Sequence, residues 1–265
     1  MLTVKNKGSK VHHSIQTFLR NGYLGLKFSF SYFSILPINF KKTDDLSKKD
    51  ILASMLFFLP FVGFTLGIGT VVLFSLLAHL EWYGALISAI IYMMFYGFIH
   101  TEAVLDVADA IYASHSSKDA YEIIKEPTVG AMGVLYAIAF VLLKVAGIVY
   151  LFNHNLLIEF VAVLMVSRLS LLVLFKVHTF NSSFATTLKE ALSLKYLVWS
   201  LLLFTFIGLC LTSHFILLLL LGIALALLIS FSIKSKIGFV NGDVLGCTLE
   251  AVEILLFLTV ALFML

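Results

Sequence analysis

Three carboxylates recur along one short polar stretch of the chain. Glu102, Asp106 and Asp109 are separated by four and then three residues, so a helix would point all three side chains the same way. Like charges this close repel one another and favour a cation between them, and Mg²⁺ prefers carboxylate oxygen. His100, just upstream, could orient a carboxylate, ligate a metal or move a proton. The stretch therefore predicts a metal site; an exposed acidic loop is the simpler alternative.

A second acidic pattern lies near the C-terminal end. Asp243, Glu250 and Glu253 fall at spacings that a helix would align on one stripe. A charged side chain at mid-membrane costs about 2.5 to 3.5 kcal/mol on insertion scales. These acids are therefore expected to be paired, protonated or liganded.

Two basic residues, Lys144 and Arg168, lie inside apolar segments. One interpretation is that they neutralise buried acids; the other is that they hold substrate phosphate, which an arginine can bind through two parallel hydrogen bonds. Glu126 precedes a segment opened by Gly130, where the amides of a helix N-terminus could meet a phosphate. Basic residues facing acidic clusters fit a site for metal and polyphosphate together.

The composition requires a membrane. Of the 265 residues, 61% are hydrophobic and 12% charged, and the mean hydropathy is +1.05, which one soluble core could not accommodate. Three prolines and 25 phenylalanines favour long helices over a membrane barrel. Cys210 and Cys247 lack metal-ligand spacing and are interpreted as buried thiols. The net charge of +3 does not indicate nucleic-acid binding, and neither a nucleotide-binding glycine motif nor a zinc-protease motif occurs.

The predicted fold class is all-α: a polytopic integral membrane protein with about seven transmembrane helices and an N-terminal interfacial helix. Residues 1–21 are predicted to be a mobile basic lead, and residues 22–265 a single membrane-embedded domain. The polar stretch 101–129 is predicted to be a loop region that carries the site. The interfacial helix is placed at residues 22–40, and the spans at residues 51–80, 82–99, 130–152, 156–175, 196–211, 215–233 and 247–265.

The positions of Lys and Arg orient these spans. Nine precede the first span and seven more lie in the loops after spans two, four and six, whereas the linkers near Glu81, residues 153–155 and residues 213–214 have none. By the positive-inside rule the N-terminus and both acidic motifs face the cytoplasm.

The first motif resembles the central motif of the cobalamin synthase family of adenosylcobinamide-GDP ribazoletransferases, approximately H-x-D-G-x-x-D-x-x-D-G. His100, Asp106 and Asp109 match it in register. The departures are Glu102 for the first aspartate and Ala103 and Ala110 for the two glycines.

The C-terminal motif is similar to the family's second signature, approximately G-x-T-G-D-x-L-G-A-x-x-E-x-x-E. Its acidic positions are present here, with Asn241 in place of threonine and Cys247 in place of alanine. With smaller matches, the resemblance covers nearly the whole chain after Gly22. The matching residues are Gly242, Asp243, Leu245, Gly246, Glu250 and Glu253.

The resemblance implies a Mg²⁺-dependent enzyme of a bacterial cytoplasmic (inner) membrane that joins adenosylcobinamide-GDP to α-ribazole or its 5′-phosphate and releases GMP. The expected partners are these substrates, the lipid bilayer and either a second copy or other cobamide-assembly enzymes. The implied catalytic residues are His100, Glu102, Asp106 and Asp109. The implied metal ligands are Glu102, Asp106, Asp109 and Asp243. The implied substrate-binding residues are Glu126, Lys144, Arg168, Asn241, Asp243, Glu250 and Glu253.

Two other functions fit parts of the pattern. A CDP-alcohol phosphotransferase also uses membrane-helix carboxylates for Mg²⁺-dependent transfer, but Ala103, Ala110 and a missing arginine depart from its motif. A cation transporter could use the intramembrane acids as its ion pathway. It would be expected to show broken helices in matching inverted halves.

Overall fold

The computed structural model describes residues 3–115, 119–125 and 128–263, and these contain helices and no strand. A 3-10 turn at Ala78–Leu80 extends the third helix. The α-helices are α1 Thr3–Phe33, α2 Lys49–Phe57, α3 Leu59–Leu77, α4 Trp82–Phe95, α5 Ile99–His115, α6 Ala120–Lys125, α7 Ala131–Asn153, α8 Leu157–Val177, α9 Ser183–Ala191, α10 Leu194–Leu211, α11 Phe215–Ile237 and α12 Gly242–Phe263.

Six helical segments among the described residues are long and apolar enough to cross a membrane, and a seventh exists if the bent pair α4 and α5 is one span. The predicted all-α polytopic fold is therefore confirmed. The six candidate spans are Leu59–Leu80, Ala131–Asn153, Leu157–Val177, Leu194–Leu211, Phe215–Ile237 and Gly242–Phe263.

The first predicted span, residues 51–80, is wrong as one continuous helix. The chain breaks at Phe58 between α2 and α3, and Pro60 occupies the first turn of α3. Proline fits a first turn because its missing N–H has no helical partner there. Only Leu59–Leu80 of this stretch meets the length and hydropathy of a span.

The polar stretch after residue 100 is a helix, which corrects the prediction of a loop region. The axes of α4 and α5 differ by 78° across a short break. Gly97 and Phe98 have φ values of 66° and 54° there, a left-handed conformation that ends one helix and redirects the chain. His100 and the acidic motif consequently lie on α5.

The N-terminal helix also differs in its bounds from the prediction. Helix α1 begins at Thr3 rather than at residue 22 and ends at Phe33 rather than at residue 40. It packs closely on α2, where a Cβ added at Gly25 would collide with that of Ser54. The mobility of residues 1–21, the single-domain organisation and the interfacial position of α1 stay predictions.

Helix α8 lies at the centre of the bundle. Nearly all its residues from Phe160 to Phe175 are buried, and it contacts α3, α10, α11 and α12. Helix α12 in turn packs against α5, α7, α8 and α11. Polar side chains on the inner faces of α7, α8 and α12 are thereby enclosed by protein rather than lipid.

Candidate functional site

The two acidic motifs meet where α5 packs against α12. A Cβ added at Gly246 would lie only 2.8 Å from the Cβ of Ala103, so the two backbones approach closely at this point. Asp243, in the first turn of α12, consequently interacts electrostatically with Glu102 and Asp106 of α5. The structure thus brings Asp243 of the second motif to the carboxylates of the first motif.

These three carboxylates have no counter-charge in the described part of the chain. Glu102 is exposed, and Asp106 and Asp243 are half-buried. The ion pairs of the described residues involve other acids, namely Asp44, Glu250 and Glu253. Three hard oxygen donors without a basic partner fit the chemistry of a bound Mg²⁺.

The described residues nevertheless contain no group of three His, Cys, Asp or Glu side chains arranged to hold an ion. This fits Mg²⁺ better than it fits a metal that needs a closed protein shell. Mg²⁺ is usually bound through one or two carboxylates, with substrate phosphates and water completing its coordination.

Asp109, also predicted as a metal ligand, accepts hydrogen bonds from two backbone amides of the segment that opens α7. Its Oδ2 accepts the Gly130 N–H at 2.6 Å and its Oδ1 accepts the Gly133 N–H at 2.7 Å, so it caps α7. A Cβ at either glycine would collide with a carboxylate oxygen of Asp109, which explains why both positions are glycine.

The hydrogen bonds to Asp109 use amides that belong to the phosphate site predicted near Glu126. Two amides at the start of α7 that could have met a phosphate already donate to Asp109. Glu126 itself, with its predicted substrate-binding role, lies outside the described residues.

His100 borders a cavity of about 270 Å³ between α1, α5, α8, α9 and α12, which we call the His100 cavity. The imidazole is 6% exposed and stacks on Tyr96, with ring centroids 5.6 Å apart. No hydrogen bond joins it to another residue of the described ranges. The cavity is lined by Tyr32, Phe33, Ile99, His100, Ala103, Leu171, Phe175, Ser182, Phe184, Ala185, Leu188, Gly242, Asp243, Leu245 and Gly246.

The polar residues that line the His100 cavity are Tyr32, His100, Ser182 and Asp243. Asp243 borders the cavity and interacts electrostatically with Tyr32 of α1. Burial, with a smaller contribution from Asp243, raises the pKa of the Tyr32 hydroxyl. Tyr32 therefore stays a neutral hydrogen-bond donor at neutral pH. A molecule in the cavity would meet this donor, the His100 imidazole and the acidic group together.

Lys144, Arg168, Glu250 and Glu253 form a separate group, the buried ion network. Lys144 Nζ lies 2.5 Å from Glu250 Oε2 and 2.7 Å from Glu253 Oε2, and Arg168 Nη1 pairs with Glu253 Oε1. These side chains are at most 3% exposed, and none of them lines the His100 cavity. This is the counter-charge arrangement, and the substrate-binding roles that the resemblance implied for these four residues stay predictions.

Hydroxyl groups complete the hydrogen bonding of the buried ion network. Tyr96 donates to Glu250 at 2.7 Å and Tyr92 donates to Glu253 at 3.2 Å. Thr101 Oγ1 lies 3.3 Å from Glu250, and Ser167 Oγ lies 3.0 Å from Glu253. Sequence reasoning missed the two tyrosines, although their spacing of four residues places Tyr96, at the C-cap of α4, on the same face as Tyr92.

Asn241, another predicted substrate-binding residue, caps α12. Its Oδ1 accepts the Val244 N–H at 3.0 Å, and its side-chain amide donates to Asp243 Oδ2 at 2.7 Å. Threonine, which the resembling motif has at this position, is also a common N-cap residue. The substitution therefore preserves the helix start, and Asn241 in addition orients the Asp243 carboxylate.

Six or seven apolar helices enclose a buried ion network, and an acidic group lies beside a cavity at the first turns of α5 and α12. This combination defines a polytopic membrane protein with a polar site between its helices. The chain belongs to the cobalamin-5-phosphate synthase family, whose profile matches residues 25–261.

Individual relatives agree with this family. The chain is 26% identical over 245 residues to an adenosylcobinamide-GDP ribazoletransferase of Clostridium perfringens strain SM101, covering 87% of this chain and 94% of the relative. It is 30% identical over 258 residues to the Chlorobium chlorochromatii protein of that name, covering 90% and 96%. No solved structure matches the chain. The prediction of a transferase of cobalamin biosynthesis is confirmed.

Proposed function

We propose that this protein transfers adenosylcobinamide phosphate from adenosylcobinamide-GDP to α-ribazole or α-ribazole 5′-phosphate and releases GMP. One observation carries the proposal beyond family membership. The packing of Gly246 on Ala103 sets Asp243 beside Asp106, next to the His100 cavity. Carboxylates from two helices thereby flank a space into which a second substrate can enter.

The reaction makes one phosphorus–oxygen bond and breaks another. A ribose hydroxyl of α-ribazole attacks the phosphorus bonded to cobinamide, and the diphosphate linkage to GMP breaks. The hydroxyl proton is lost, and GMP leaves with the electron pair of the broken bond. Catalysis of such a transfer depends mainly on positioning and on neutralising phosphate charge.

In this proposal one or two of the carboxylates of Glu102, Asp106 and Asp243 would hold Mg²⁺, which would neutralise charge on the diphosphate and on the leaving GMP. The missing counter-charge of these acids supports the assignment. Asp109 is left out of the ligand set because both its oxygens accept amide hydrogens of α7.

We assign the hydroxyl proton to His100 or to one carboxylate of the acidic group. The imidazole borders the cavity and its nitrogens are not engaged by another residue of the described ranges. A neutral imidazole in this position lies within reach of a hydroxyl bound in the cavity and can accept a proton from it. Tyr96, stacked on it, would hold the ring plane.

The proposed location is a bacterial cytoplasmic membrane, with the acidic group on the cytoplasmic side. Lys176, Lys189 and Lys195 lie in the segment from the end of α8 to the start of α10, and Lys234 and Lys236 in the last turn of α11. Positive charge at these ends favours the cytoplasm, where nucleotide substrates are found.

The buried ion network argues against the cation-transporter alternative. Glu250 and Glu253 are already paired with Lys144 and Arg168, so these acids do not offer an open ion pathway. The helix breaks at Phe58 and residues 96–98 lie in the N-terminal half, whereas the described C-terminal helices α8, α10, α11 and α12 are continuous. The inverted pair of broken helices expected of a transporter is not formed there.

The test is turnover by the purified full chain in nanodiscs, supplied with adenosylcobinamide-GDP, α-ribazole and Mg²⁺ and analysed for GMP and cobamide. Asp106→Asn is expected to lower Mg²⁺-dependent turnover by at least about 100-fold, because it removes a charge that the cation requires. Glu190→Gln removes an exposed acid of α9 and serves as the matched control.

Two results would contradict the proposal. One is a folded wild-type protein that forms no product above background. The other is an Asp106→Asn protein with wild-type turnover and an unchanged Mg²⁺ requirement, which would exclude Asp106 as a ligand.

A further inference from the structure

The His100 cavity has an aromatic entrance. Tyr32 of α1 and Phe184 of α9 are 39% and 37% exposed, and their ring centroids lie 5.5 Å apart. Phe33 continues this surface inward, 4.8 Å from the Tyr32 ring and 6.4 Å from the His100 ring. A flat aromatic molecule could therefore contact rings from the surface to His100.

The buried wall of the cavity is apolar. Leu171 and Phe175 of α8 and Leu188 of α9 are each at most 5% exposed, and they offer no side-chain hydrogen-bond donor or acceptor. A guanine pressed against this wall would leave polar ring edges without partners, which is unfavourable in a desolvated site. The outer edge of a benzimidazole has only carbon and hydrogen atoms, so no hydrogen-bonding group would be left without a partner there.

The size of the cavity excludes the larger substrate. Its volume is about 270 Å³, near the lower end of pockets that hold small ligands. A corrin macrocycle with its amide side chains is far too large for this space. Of the groups present in the proposed reaction, a bicyclic base fits the volume and the lining together.

We propose that the His100 cavity binds the aromatic base of α-ribazole, an assignment that rests on the proposed function. The base enters beside the paired rings of Tyr32 and Phe184 and lies against the α8 and α9 wall. Its ribose then remains at the side of the cavity that carries His100 and Asp243. This places the attacking hydroxyl beside the proposed proton acceptor and the proposed metal ligands.

The first test removes the Phe184 ring from the entrance of the cavity. Phe184→Ala is expected to raise the KM for α-ribazole at least about fivefold, because one base–aromatic contact is lost. The kcat at saturating α-ribazole and the KM for adenosylcobinamide-GDP should change less than twofold. Phe206→Ala, which removes an exposed ring of α10 that does not line this cavity, is the matched control.

The second test narrows the cavity. Ala185 lines it and is 5% exposed, so Ala185→Leu adds volume inside it. The base of α-ribazole carries two methyl groups. The variant is expected to raise the KM for α-ribazole more than the KM for the riboside of unsubstituted benzimidazole. A ratio of the two KM values equal to that of the wild type would contradict the assignment.

A binding measurement separates this inference from the proposed function. Isothermal titration of α-ribazole into the full chain in nanodiscs, without adenosylcobinamide-GDP, should give a Kd that Phe184→Ala weakens at least fivefold and Phe206→Ala leaves unchanged. Such binding without turnover would overturn the proposed function and keep the cavity assignment. Turnover by the wild type, with Phe184→Ala raising only the KM for adenosylcobinamide-GDP, would overturn the assignment and keep the function.

Discussion

Removing one charge from the buried ion network should destabilise the whole protein. Glu253 is fully buried and accepts contacts from Lys144, Arg168, Ser167 and Tyr92. Glu253→Gln keeps the shape of the side chain and removes its charge. Two buried cations would then face the single carboxylate that remains in the network.

The expected loss in the free energy of unfolding follows from the burial of Lys144 and Glu253. Exposed ion pairs contribute about 0 to 1 kcal/mol, whereas removing one partner of a buried pair typically costs about 3 to 5 kcal/mol because a desolvated charge is left behind. The side chains of Lys144 and Glu253 are each 0% exposed, so the larger range applies. The glutamine NH₂ group also faces cations where the carboxylate oxygens accepted hydrogen bonds.

The assay is reversible unfolding in detergent micelles, followed by circular dichroism and extrapolated to zero denaturant. Glu253→Gln is compared with Glu81→Gln, an exposed acid before α4 that should change the free energy of unfolding by less than about 0.5 kcal/mol. The double variant Arg168→Met, Glu253→Gln restores net neutrality. It should be more stable than the sum of the two single changes by at least about 1 kcal/mol.

Two results would refute this reasoning. A Glu253→Gln protein within about 1 kcal/mol of the wild type would mean that the charges behave like a solvated pair. Strict additivity in the double variant would mean that Arg168 and Glu253 are not energetically coupled, contrary to their contact in the structure.

Three further predictions concern the helix contacts and the topology. Gly246→Ala should lower the free energy of unfolding by about 1 to 3 kcal/mol through the clash with Ala103, and adding Ala103→Gly should restore most of it in the same denaturant assay; no recovery would contradict the close approach. Asn241→Thr should unfold like the wild type, whereas Asn241→Val should lose about 1 kcal/mol with the cap; equal stability of the two variants would show that the cap contributes nothing. Cys210 is exposed, not buried as predicted, whereas Cys247 is buried. In a background without Cys210, Lys189→Cys and Asn155→Cys should react with an impermeant maleimide from opposite sides of the membrane, and labelling from one side would refute the topology.

Local patterns accounted for much of the fold because they reflect local physics. Long apolar stretches have to be helices in lipid, where every backbone polar group must be bonded within its own segment. The spacing of Glu102 and Asp106 is likewise enough to place both carboxylates on one face of a helix. The bounds of α1, the break at Phe58 and the bend at residues 96–98 were missed, since packing and a few backbone angles decide them.

In the candidate site, too, some features follow from the local sequence and others from the packing of helices. The sequence determined by itself that Asp106 and Asp243 belong to acidic helical motifs, because residue type and spacing suffice for that. Only the tertiary structure decided their partners: Asp243 meets Asp106 because Gly246 packs on Ala103, whereas Asp109, at the same helical spacing, is directed to the amides of α7. Spacing along a helix fixes the direction of a side chain, but the neighbouring helix fixes what that side chain binds.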